Sequence, residues 1–499
     1  MFENEIIREI LNKYRVLWSL SHASSLMGWD SETYMPSEGV KGRSVASAEL
    51  ALLYRKLFLQ DVAPLVEKVM GAERLNEYEA GVVRVLGREL ERMKKIPEKI
   101  QYELAKLRVE ASTVWRGAKA EGNFKAFEPY LTRVFELRKE TAEYLGYKEH
   151  PYDALLDIYE EGLTDRDVDN MFRGLVPSIK RVLERVSQNG YYPRTHELEG
   201  VEYVKEELER VNREVLELLS FPWSKGRLDV SAHPFTVGIS LWDVRITTRY
   251  EGRDFRRSLF STIHEFGHAI YDMNVDETLA MTPLEGGASL GVHESQSRFW
   301  ENIVGRSFSF ITVLKPILEK HLSVARGYDA EELYRYFNVV RPSTIRVDAD
   351  EVTYNMHIYL RYKLERGLIG GEIKVSELPE LWNEMMEELL GIVPPNLSEG
   401  VLQDIHWSIT AVGYFPTYTI GNLLSAQLKN ALEREVGPLA ELIRARRFAE
   451  ITEFMRRKIH KYGKLYPPKE LILKSLGEPM NPEYFARYLE EKYVKVSLL

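Results

Sequence analysis

Apolar positions recur every three or four residues over most of the chain, the spacing of helices that bury one face. Ile6, Ile10, Tyr14, Leu17 and Leu20 start the pattern, and Leu57 to Met70, Leu75 to Met93 and Lys99 to Ala118 repeat it. Turn and cap residues interrupt it at Met35-Pro36, Gly71, Ile96-Pro97 and Gly122-Asn123. Thr164, three residues before Asp167, predicts an N-cap for a helix ending near Gly190. After Phe221 the period changes. Leu228 to Tyr250 is rich in Val, Ile, Thr and aromatics with partial alternation, which predicts two or three short strands. Helical spacing then returns from Ser258, with Arg306 to Leu322 (a break or kink expected at Pro316), Glu331 to Val340 and Thr353 to Gly367. No fixed-period repeat, heptad seam or Ser/Gly-rich linker divides the sequence. The pattern predicts a mainly α protein, one large helical domain over residues 1–499 with a small sheet. Its parts are a helical scaffold half (1–220), a segment with the sheet and site (221–430) and C-terminal helices (431–499).

Composition narrows the function classes. A hydrophobic share of 44% with 29% charged residues fits a soluble globular protein. The net charge of −9 argues against nucleic acid as a main partner, because phosphate binding needs a basic footprint. With no cysteine, disulfides, thiolate ligands and a cysteine nucleophile are excluded, which suits a cytoplasmic location. The opening MFENEIIREILNKYR has no apolar core, so no signal peptide is expected. No apolar run nears the roughly 20 residues of a membrane span. Abundant Glu, Lys and Arg without Cys matches a thermophile's composition.

The chemistry concentrates between Ser258 and Trp300. His264-Glu265-Phe266-Gly267-His268 places two imidazoles one helical turn apart, able to share a metal ion. Leu259, Ile263, Phe266 and Ile270 form the buried stripe, and Glu265, about 100° round the helix, leans over the open side of such an ion. Gly267 costs about 1 kcal/mol relative to Ala in a helix interior, so it marks a close approach by another backbone. A catalytic site needs a third protein ligand. Glu277, Glu285, Glu294 and Glu301 are available, and Glu294 is favoured because it opens a new helical pattern on its first turn.

Six segments in order extend the picture: His233-Pro234-Phe235, Asp243-Val244-Arg245-Ile246-Thr247, the HEFGH run, His293-Glu294-Ser295, Ile345 to Asp350, and Gly400 to Trp407. Together they resemble the carboxypeptidase Taq family of thermostable metallocarboxypeptidases over essentially the whole chain. Val347 departs from the pattern, since many members have proline there; that alters a turn and leaves the chemistry alone. The resemblance implies His264, His268 and Glu294 as metal ligands and Glu265 as general base. It also implies a mostly helical fold with a deep active-site cleft, a homodimer, and release of single amino acids from peptides with a free C-terminus. One divalent metal is expected, zinc first, with cobalt accepting the same donors. Arg346 lies where the family grips the substrate carboxylate, and Arg245 is the next choice. His233, His406 and a tyrosine, Tyr418 before Tyr414, are candidate donors to the oxyanion. Asp243 suits the outer N–H of a ligand histidine, or else a salt bridge to Arg245. Two other readings share these features: a helical zinc oligopeptidase that cuts internal bonds, and a non-catalytic scaffold stabilised by a metal.

Overall fold

The computed structural model describes residues 1–71 and 74–496. Long helices dominate, as the periodicity predicts, and their ends follow local chemistry. The Asp165–Asn189 helix starts at Thr164, whose hydroxyl accepts the Asp167 N–H while the Asp167 carboxylate accepts the Thr164 N–H; it stops at Gly190 in the left-handed conformation. The Phe308–His321 helix continues past Pro316 without the expected break. Its apolar face is buried on both sides of the proline, and that packing outweighs one lost backbone hydrogen bond.

The sheet has three strands, β1 (Gly226–Val230), β2 (Thr236–Ser240) and β3 (Asp243–Thr248), in the order β1-β3-β2. β1 runs parallel to β3, pairing Gly226 with Val244 and Val230 with Thr248, whereas β2 is antiparallel and irregular between Gly238 and Ser240. β3 is central, so Val244, Ile246, Thr247 and Thr248 are buried. The sheet lies along the first ligand helix, Arg256–Met273, on the side that carries Glu265.

The second ligand helix, Leu290–Arg298, crosses the first and packs along the Pro416–Glu435 helix on its other side. It begins at Ser289, whose hydroxyl accepts the Val292 N–H. Glu294 therefore sits in its second turn, one turn later than expected, and the early start comes from this cap. Both crossings occur at glycine. A Cβ on Gly267 would lie 2.5 Å from the Gln296 carbonyl oxygen, and one on Gly421 would lie 2.7 Å from the Glu294 Cβ. Beyond these helices, Tyr354–Gly370 is buried on nearly every face and carries Arg361 and Glu365 into the interior. Among the described residues, no helix is long and apolar enough to cross a membrane.

Candidate active site

His264, His268 and Glu294 converge, with their ligand atoms all within 4.8 Å of one another. Glu294 Oε2 lies 3.7 Å from His264 Nε2 and 3.4 Å from His268 Nε2. The outer nitrogens are engaged elsewhere: His264 Nδ1 is 2.9 Å from Glu301 Oε2, and His268 Nδ1 is 2.7 Å from His293 Nδ1. With the Nδ1 atoms so engaged, both Nε2 atoms are available to converge with the Glu294 oxygen on a shared cation. Two imidazoles and one carboxylate suit a divalent ion that keeps a position open for reactants, so the donor set fits such a metal.

Arg298 fixes the carboxylates around this centre. Its Nε donates to Glu294 Oε1 at 2.7 Å, and its Nη1 lies 3.4 Å from Glu301 Oε2. Burial works against the Glu294 carboxylate, but Arg298 and the two imidazoles overcome it and hold its pKa well below the usual range. A π-helical stretch, Phe299–Gly305, follows the second ligand helix and returns Glu301 to the site, where Arg306 also reaches it. Glu301, one of four candidate ligands by sequence, thus stands behind His264. The other two point away: Glu277 is exposed near Lys225, and Glu285 accepts from Trp18 Nε1 and the Met281 N–H.

Glu265 is buried beside the ligands. Its Oε2 accepts the Thr236 hydroxyl at 2.6 Å, and burial raises its pKa above the ordinary value. Asp243 and Arg245 are not at this centre. They pair with each other at 2.8 Å, and the Arg245 guanidinium stacks over Trp29 at 4.2 Å. Residues two apart on a strand share a face, and that face of β3 looks toward the N-terminal helix, not toward the histidines.

A cleft of about 610 Å³ opens over His264 and Glu265. His233 lines its rim, and its ring is exposed. The other expected residues, Arg346, His406 and Tyr418, sit together. Arg346 donates from Nε and Nη2 to Asp404 Oδ1 (3.0 and 2.9 Å) and from Nη1 to the Tyr354 hydroxyl (2.9 Å). Arg361 donates to the other oxygen of Asp404 at 2.6 Å, so one carboxylate faces two buried guanidiniums. His406 Nε2 is 3.1 Å from the Tyr418 hydroxyl. Burial, helped by Arg346 and Arg361, pushes His406 down to about 3, which keeps the ring neutral. Burial likewise raises Tyr418 well above 10, so its phenol keeps its proton.

The whole chain also matches known proteins. The family model described as carboxypeptidase Taq (M32) metallopeptidase covers residues 9–493. The chain belongs to that family. This metallocarboxypeptidase is 51% identical to thermostable carboxypeptidase 1 of Pyrococcus furiosus over 99% of both chains, and 37% identical to carboxypeptidase 1 of Bacillus subtilis over 99% of both. Its backbone superposes on the Pyrococcus furiosus carboxypeptidase structure with a TM-score of 0.97, covering 99% of each chain. For the Deinococcus radiodurans M32 carboxypeptidase, at 30% identity and the same coverage, the TM-score is 0.95. The enzyme is a metal-dependent peptide hydrolase acting at C-termini, and the helical fold with its small sheet is that of the family. Thr236, Arg298, Tyr354, Arg361 and Asp404 escape the sequence reading: Thr236, Arg361 and Asp404 act through contacts between distant segments, whereas Arg298 and Tyr354 look like ordinary helix residues until the fold turns them toward Glu294 and Arg346.

Proposed function

We propose that His264, His268 and Glu294 hold one divalent ion, zinc foremost, and that Glu265 is the general base for removing single residues from peptide C-termini. The observation carrying this reading is the convergence of the three ligand atoms within 4.8 Å, with the Glu265 carboxylate buried beside them. When bound, the ion polarises the scissile carbonyl and makes water a usable nucleophile near neutral pH. Glu265 works from Oε1, since Thr236 occupies Oε2. Oε1 takes a proton from the attacking water and passes it to the leaving amine, and its raised pKa favours holding that proton in between.

The carboxylate grip is assigned to Arg346. Asp404 and Tyr354 fix three of its N–H groups. One N–H remains on each of Nη1 and Nη2, a pair that matches the two oxygens of a terminal carboxylate. The two guanidiniums on Asp404 outnumber its single charge, and a substrate carboxylate would balance them. Tyr418 is assigned to the oxyanion. If neutral His406 donates from Nε2 to the phenol oxygen, the phenol proton is left to point at the substrate. His233, at the cleft rim, is a weaker candidate for the same task. Homodimerisation and a cytoplasmic location complete the proposal, supported by the family resemblance and the absence of cysteine.

Product analysis tests this reading against the oligopeptidase alternative. Peptides with free and with amidated C-termini are incubated with metal-depleted and zinc-restored protein. Single amino acids released in order from free C-termini, only after zinc is restored, are expected. Internal fragments from the amidated peptides would favour an oligopeptidase, and equal activity without metal would overturn both.

A further inference from the structure

Behind the two histidines the support is unequal. His264 Nδ1 meets a carboxylate directly, at Glu301. His268 Nδ1 meets another imidazole, His293 Nδ1, at 2.7 Å, and on the far side of that ring His293 Nε2 lies 3.0 Å from Asp272 Oδ1. Three side chains thus stand in line from the centre outward. Tyr271, in ring contact with His293 at 4.8 Å between centroids, steadies the middle member.

Proton bookkeeping leaves a single consistent arrangement. Two facing imidazole nitrogens at this distance share one proton, since two lone pairs or two N–H groups would repel. On the reading that His268 Nε2 is a metal ligand, its lone pair must face the centre, so its own proton is on Nδ1. His268 then donates to His293 Nδ1. That leaves the His293 proton on Nε2, where Asp272 accepts it. We propose that His293 and Asp272 form a relay that fixes the tautomer and ring angle of His268. Both are positioning residues for the ligand and touch no reacting atom. The arrangement does for His268, at one imidazole's remove, what Glu301 does for His264. Outer partners of this kind typically change metal affinity by about 10–100-fold when lost.

The two segments involved explain how the line is built. Asp272 lies one helical turn beyond His268, and His293 immediately precedes Glu294. Each ligand helix therefore brings a supporting residue along with its ligands, two on the first and one on the second, and the relay ties the crossing together as well as orienting the ring.

The test is Zn²⁺ affinity of the full-length protein, measured by competition with a chromophoric chelator, alongside thermal unfolding of each metal-free sample. His293→Phe keeps a ring of similar size without an acceptor, and is expected to bind Zn²⁺ about 10–100-fold more weakly. Asp272→Ala is expected to do the same. Asp272→Asn keeps an oxygen that can accept the His293 proton, and should stay within about threefold of wild type, a rescue that lost packing would not produce. A folded His293→Phe protein with wild-type affinity would overturn the relay. If that variant does not fold, the Asp272 pair decides: equal effects of Ala and Asn overturn the proposal, and rescue by Asn supports it. Wild-type protein that takes up no Zn²⁺ would overturn the ligand set itself, a result separable from a wild type that binds while the variants are unchanged.

Discussion

Replacing Gly267 with Ala probes the crossing on which the site depends. The new Cβ would lie 2.5 Å from the Gln296 carbonyl oxygen, 2.6 Å from Ser297 Cα and 2.8 Å from the Gln296 carbonyl carbon. All three are backbone atoms of the second ligand helix, so no rotamer change relieves the overlap. Comfortable carbon contacts need about 3.5–4.0 Å, so the two helices must part by about 1 Å. Alanine's helix propensity favours the variant by about 1 kcal/mol. Overpacking costs about 1–3 kcal/mol, and an unyielding backbone puts this case at the upper end, for a net loss of about 2 kcal/mol. The sharper effect is on geometry. His268 follows Gly267 directly, and Glu294 precedes Gln296 by two residues, so the parting separates ligand from ligand. Misplacement by about 1 Å can cost on the order of 10²-fold in rate. Urea unfolding, chelator-driven zinc release and kcat are measured on the same samples. Wild-type stability together with wild-type zinc retention would refute the argument that this contact sets the spacing.

Three further expectations follow from the surroundings. Arg346→Ala should collapse the preference for free over amidated C-termini, because a charge-assisted pair worth about 2–5 kcal/mol is lost; an unchanged ratio would remove Arg346 from that role. Tyr418→Phe should lower kcat by about 10²–10³-fold with KM little affected, and a normal kcat would return the oxyanion role to His233 or Tyr414. Glu365 is a stability probe away from the metal: burial raises its pKa from 4.5 to about 7, despite donors from Tyr152, Trp407 and Gly413. Its protonated form is favoured in the folded state, so its stabilisation is complete below about pH 4.5 and is lost as pH rises through about 7, a change of about 3 kcal/mol. In urea titrations Glu365→Gln should lose less stability than wild type between pH 4.5 and 8, and parallel profiles would refute the raised pKa.

The parts of this molecule legible in the sequence are those encoded over short spans. Helical periods, the Thr164 cap, the two or three short strands expected after Phe221 and the HEFGH turn all depend on neighbours within a few residues. Gly267 could be read as a close approach, but which backbone approaches it could not. The choice between Glu294 and Glu301 was harder. A π-helical turn between them changes the angular spacing that ordinary helix counting assumes, and it turns Glu301 onto His264. Asp243 failed as a histidine partner because strand alternation joins it to Arg245. The Arg346–Asp404–Arg361 group was only partly visible. Its motif singles out Arg346, whereas the second guanidinium on Asp404 comes from a helix whose sequence reads as ordinary core. Polar residues buried at long sequence separation leave no periodic trace.

The central claim, a three-ligand metal centre served by Glu265, is tested most directly by pairing metal content with turnover in Glu265→Gln. The glutamine keeps the shape and can still accept from Thr236, but it cannot take a proton from water. About one zinc per chain is expected, as in wild type, with release of C-terminal residues reduced by at least about 10²-fold. Metal retained together with substantial activity would contradict the assignment of Glu265, and loss of the metal would show that Glu265 helps to hold it.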